Sequence, residues 1–174
     1  MIKYITFRGK AYRTIKLYIH PNAQFNDILL VLNSLRFDNV SINEEQIIFA
    51  ILELINNSLR AHREKKKNEK ISVIFHVKNN YLYIKIQDWG GGFDPSALPY
   101  DISENPEQID TNSDVFHEYR EAHGYKRFGI GLYVVKKTFH TFTLYFIDEN
   151  HSQVDWESGK TAGTCIELGI GEGR

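Results

Sequence analysis

The sequence predicts an α/β fold, a two-layer sandwich with a mixed, mainly antiparallel sheet, on three observations. Runs of alternating apolar and polar residues recur near both ends and in the middle of the chain, and each has one apolar face. Three other segments, from Asn26, after Ser41 and after Gly131, carry apolar residues at helical spacing. No linker and no internal repeat divides the 174 residues, a length that fits a single domain over 1–174 and can bury a proper core. Strands that meet helices on one side only make two layers.

Residues 2–7 and 12–19 alternate, with Ile15, Leu17 and Ile19 opposite Thr14, Lys16 and Tyr18, and Gly9-Lys10 between the runs suggests a hairpin. Ile28, Leu29, Leu32 and Leu35 predict a helix from Asn26 to Phe37, so hairpin and helix fill residues 1–44. Ser41-Ile42-Asn43-Glu44-Glu45 supplies an N-cap and first-turn acids for a second helix, whose stripe is Ile47, Ile48, Ile51, Leu52, Ile55 and Leu59. The charged run from His62 to Lys70 ends that helix and reads as a solvated helix end and turn. Ile71, Val73, Phe75 and Val77, then Leu82, Ile84 and Ile86, alternate as two strands joined at Asn79-Asn80. Residues 93–128 have no apolar period and are rich in acids, Pro and Asn; a connection of that length is expected to be a lid or disordered. A helix from about Gly131 to His140 precedes strands near 142–147 and 164–168.

Bulk composition excludes more than it assigns. A formal net charge of −1 makes no field for nucleic acid or an anionic membrane, so neither partner is implied. No apolar run approaches the roughly 20 residues of a membrane span, and no signal-peptide pattern opens the chain, so a cytoplasmic location is expected. The one cysteine, Cys165, lies in a strand-like run and reads as a buried, inert thiol.

Three short segments carry the chemistry. In Glu53-Leu-Ile-Asn-Asn57-Ser-Leu-Arg60 the i, i+4 spacing puts Glu53 and Asn57 on one helical face, with Arg60 three residues further on the same side. The apolar stripe takes the opposite face, so these groups point into a cleft. A carboxylate can orient or deprotonate an attacking hydroxyl or water. An amide oxygen can coordinate magnesium, and a guanidinium can pair with phosphate oxygens. Alone, the set is also what any exposed helix face offers. Asp88-Trp-Gly90-Gly-Gly92-Phe93 ends a strand in an acid that can accept from an exocyclic amine, with glycines that let backbone approach a flat ring. Gly129-Ile-Gly131-Leu132 opens an apolar helix whose free amides can meet phosphate, with Lys126 and Arg127 just before it. Ser158-Gly159-Lys160-Thr161 is not a phosphate loop, because Val154 stands where that loop needs its first glycine; it is a turn between late strands.

The order and spacing of the three segments resemble the Bergerat-type ATP site of the superfamily known as GHKL, shared by gyrase, the histidine kinases and the MutL mismatch-repair ATPases. The resemblance covers roughly residues 45–170. It implies bound ATP and Mg2+, with Glu53 as catalytic base and Asn57 as magnesium ligand. It also implies nucleotide contacts from Asn57, Arg60, Asp88, Gly90, Gly92, Lys126, Arg127, Gly129, Gly131, Leu132 and Thr164. Asp88 would read the adenine amino group, and residues 93–128 would form the ATP lid, where Phe116-His-Glu-Tyr119 echoes an aromatic lid motif. The hairpin, helix and Glu–Asn helix together are similar to the small anti-sigma-factor serine kinases. Neither a phosphoacceptor hairpin nor a gyrase-type transducer domain is recognisable, which implies a substrate or regulatory protein in trans and leaves a homodimer open. A kinase, a nucleotide-gated binding switch and a MutL- or gyrase-like ATPase all remain compatible with these residues.

Overall fold

The computed structural model describes residues 1–122 and 130–171. β1 (Ile5–Phe7) and β2 (Lys10–Tyr12) form a tight hairpin, with positive φ at both turn residues, Arg8 (48°) and Gly9 (78°). That turn matches the right-handed twist of a hairpin. β3 (Thr14–Ile19) then leaves the hairpin to join a separate sheet, so the alternation of 12–19 belongs to two strands in two sheets.

α1 (Phe25–Leu32) buries Ile28 and Leu32 and stops there. Leu35 does not continue it: Leu35–Phe37 is a strand, β4, that pairs antiparallel with β1 and buries Leu35 and Phe37 on either side of exposed Arg36. The expected helix over 26–37 is thus a helix and a strand, because β1 offers a ladder that a local reading of spacing does not see. The Asn33 amide, bonded to the Leu29 carbonyl, closes the helix.

α2 (Glu44–Glu64) is the central helix. The Asn43 side chain accepts from the Glu45 amide and caps it, and Ile47, Ile51 and Ile55 are fully buried. β5 (Ile71–Lys78) and β6 (Tyr81–Gln87) follow, joined through Asn79 and Asn80 at φ 51° and 62°. After residues 93–113, α3 (Asp114–Ala122) and α4 (Ile130–Thr138) lead to β7 (Thr141–Ile147), β8 (Gln153–Val154) and β9 (Gly163–Ile170). The large sheet has the order β3-β5-β6-β9-β7-β8, and every strand pair among the described residues is antiparallel.

The core lies between this sheet and the helices. α2 supplies Ile47, Ile51 and Ile55, β5 and β6 supply Val73, Phe75, Leu82 and Ile84, and α4 supplies Val135. Full burial of each such side chain contributes about 1.5–3 kcal/mol. The fold is the two-layer α/β sandwich that the alternation implied. Among the described residues no helix is long and apolar enough to cross a membrane.

Candidate functional site

Asp88 lies just past the end of β6, which pairs with β5 on one side and β9 on the other. It is buried, and its carboxylate is built into the fold on both oxygens. Oδ2 accepts from Ser58 Oγ on α2 at 2.7 Å. Oδ1 accepts from the amides of Gly90 at 2.9 Å and Thr164 at 3.3 Å. Backbone bonds between Asp88 and Thr164, and between Gly91 and Ala162, tie the same turn to β9 and the residue before it. Donors to a carboxylate are charge-assisted and roughly twice as strong as neutral pairs, so this oxygen pair is held in one orientation.

The glycines here have specific packing reasons. A Cβ at Gly163 would lie 1.9 Å from the Asp88 carbonyl oxygen, and one at Gly90 would lie 2.5 Å from the Ala61 methyl. Gly91 and Gly92 take φ of 82° and 67°, the left-handed region that favours glycine. The turn therefore lies flush against both α2 and β9.

Between α2 and this turn opens a cavity of about 140 Å³, the size of cavity known to take a single aromatic ring. Leu54, Leu132 and Ile166 give it apolar walls, and Asn57, Arg60, Asp88, Gly90, Gly92 and Thr164 also line it. Seven of the residues singled out in the sequence, from Asn57 to Thr164, thus converge on one cavity. Arg60 is half-buried and donates to Asn57 Oδ1 at 2.9 Å; its charge also reaches Tyr119 of α3, where it opposes the burial that pushes that phenol up to about 12.

Glu53 and Gly131 do not line the cavity. They meet beside it, where α4 begins: a Cβ on Gly131 would stand 2.8 Å from Glu53 Oε2. The absence of that Cβ lets the first turn of α4 approach the carboxylate. Lys126, Arg127 and Gly129 lie outside the described residues.

Three features escaped the sequence reading. Ser58, which follows Asn57 directly, was not among the expected site residues; its hydroxyl is the side-chain donor to Asp88. His62, read as part of a solvated charged end, is fully buried, with Nε2 accepting from the Trp89 amide at 2.8 Å. Its spacing from Ser58, one helical turn, was the available signal. The stretch read as lacking any period contains α3, whose Phe116 is buried and stacks on Tyr100 at 5.9 Å and against Tyr133 of α4. Trp89 turns away from the cavity and packs edge-on to His151 at 4.8 Å. Cys165 is buried, and burial pushes its thiol up, which fits the inert role. Ser158 to Thr161 forms the turn before β9.

A sandwich with a ring-sized cavity between its central helix and the end of an inner strand has the architecture of a nucleotide-binding ATPase domain. The chain belongs to the histidine kinase-, DNA gyrase B-, and HSP90-like ATPase family, whose profile matches residues 42–172. It is accordingly an ATP-binding domain of that ATPase type. No individual curated protein matches the sequence.

Proposed function

We propose that this protein is an ATP-dependent protein kinase acting on a partner in trans. The observation that carries the reading is the separation of two groups on one helix: Asn57 lines the cavity beside Asp88, while Glu53 stands outside it against the first turn of α4. In this reading Asp88 and Thr164 receive the adenine edge, and Gly90 and Gly92 give the ring backbone without side chains. The triphosphate runs along Asn57 and Arg60 toward α4, whose N-terminal amides favour anions, and Leu132 covers the sugar side. Lys126, Arg127 and Gly129 would complete the phosphate end. Glu53 then takes the proton from the attacking hydroxyl as its oxygen bonds to the terminal phosphorus, and ADP departs.

The donor set suits magnesium carried in on the nucleotide. Among the described residues no group of three His, Cys, Asp or Glu could hold a metal by itself, and Asn57 Oδ1 keeps one lone pair beyond its bond from Arg60. Magnesium commonly takes one or two protein ligands with phosphates and water supplying the rest. Asn57 would hold it, and it would supply charge neutralisation at the phosphates.

A nucleotide-gated binding switch is the second reading, favoured by the aromatic contact that couples α3 to α4. There residues 93–128 act as a lid whose position reports the nucleotide. Incubation with labelled ATP, with separate measurement of free phosphate and of label on partner protein from cell extract, decides between them. Label on protein, lost in Glu53→Ala by the roughly 10²–10⁴-fold that a positioned base contributes while ATP still binds, supports the kinase. Free phosphate alone points to a MutL- or gyrase-like ATPase, and binding without either product points to the switch.

A further inference from the structure

One turn of α2 grips the turn after β6 by three adjacent contacts. Ser58 Oγ donates to Asp88 Oδ2, the Ala61 methyl packs under Gly90, and His62 Nε2 accepts from the Trp89 amide. The first contact fixes the carboxylate, the second the backbone that follows, and the third the peptide between them. Accepting at Nε2 leaves the neutral ring's proton on Nδ1. Such a bond exists only while Nε2 is unprotonated. A proton there would turn the acceptor into a donor facing the Trp89 N–H, and a buried donor left without an acceptor is costly.

We propose that His62 is a positioning residue for the base-reading turn, holding Asp88 in place through the Trp89 amide, so that nucleotide binding depends on this imidazole remaining neutral. The effect on nucleotide rests on the reading that Asp88 receives the base; the hold on the turn does not.

The surroundings favour the neutral ring. Burial pushes the His62 imidazole below its ordinary value of 6.5, and Lys67 on the following turn acts in the same direction. Asp88 from the end of β6 and Glu69, by its charge and backbone, act the other way but are outweighed. Lys65, whose side chain reaches Gly91 from the end of α2, and His151, beyond the Trp89 indole, also stand at the turn. For an imidazole whose value is lowered on folding, the stabilising contribution is complete above the ordinary value. It is lost as pH falls from there toward the folded value. The turn should therefore loosen below about pH 6.5, and not at alkaline pH.

Two variants separate this role from mere packing. In His62→Gln the amide oxygen can reach the Nε2 position and accept at every pH. His62→Leu fills much of the volume but accepts nothing. Amide hydrogen exchange at Trp89, measured by NMR on the nucleotide-free protein, reads the hold directly. Wild type should lose protection between pH 7.5 and 5.5 beyond the intrinsic pH effect on exchange, by up to about tenfold from an ordinary value of 6.5; His62→Gln should not, and His62→Leu should be unprotected at both. ATP titrations by calorimetry at the two pH values form the second arm. Phosphate protonation weakens binding equally in all three proteins, so the additional loss in wild type over His62→Gln isolates His62. Exchange at Trp89 that is the same in wild type and His62→Leu overturns the proposal. The expected exchange pattern with no ATP bound at either pH upholds the hold on the turn and removes instead the reading of Asp88 as a base contact.

Discussion

Asp88→Asn is the most informative single change, because the structure fixes what the new amide would have to do. Asp88 accepts two backbone amides on Oδ1 and one serine hydroxyl on Oδ2. The asparagine oxygen can keep the two backbone donors only by taking the Oδ1 position. Its NH2 then faces Ser58 Oγ, and the hydroxyl can rotate to accept from it. The interior therefore stays satisfied, and the loss is the difference between charged and neutral hydrogen bonds, about 1–2 kcal/mol of stability. The melting midpoint should fall by about 2–8 °C. The cavity-facing consequence is larger. An adenine amine that met a carboxylate now meets an amide N–H, donor against donor. Losing a bond to a charged acceptor costs about 1.5–3 kcal/mol, which is about tenfold to more than a hundredfold in affinity for ATP. A guanine carbonyl at the same place would gain a donor, so the preference for ATP over GTP should shrink by more than the ATP loss alone. Calorimetric titration with ATP and with GTP, beside a thermal melt, measures all three quantities. A folded variant that binds ATP within about twofold of wild type, with an unchanged ATP-to-GTP ratio, would refute the placement of the base against Asp88.

The other expectations are simpler. Asn57→Ala should leave the fold intact, since the side chain is half-buried on the cavity side of α2, and weaken ATP binding more in magnesium than in EDTA; equal weakening in both would remove Asn57 as a metal ligand. Gly163→Ala places a methyl against the Asp88 carbonyl and should cost about 3 kcal/mol or more. That corresponds to a fall of about 6–12 °C in melting midpoint, and a melt unchanged within error would contradict the packing of β9 on the turn. Residues 93–122 should be protected from protease by Mg-ATP if they belong to a lid, and cutting at equal rates with and without nucleotide would reject that role.

The chain's local patterns were enough for α2, for the β5–β6 hairpin and for the sandwich itself. Helical spacing of Ile47, Ile51 and Ile55, a cap at Asn43 and alternation across Asn79-Asn80 are short-range properties, and each is written in neighbouring residues. Residues of the three segments were picked out by local spacing, and the fold brings Asn57, Asp88 and Leu132 to one cavity. Other choices depended on partners distant in sequence. Leu35 fits both the next turn of α1 and the first rung of β4, and only the ladder with β1 selects the strand. His62 stands in a charged run, and only the Trp89 amide, brought over by β6, makes it a buried acceptor. Phe116 has only Tyr119 as buried company in its own helix; its ring partners are Tyr100 and Tyr133, one on each side in sequence. Spacing records which face a residue occupies along its own element. What meets that face is decided by the packing of elements that the sequence keeps far apart.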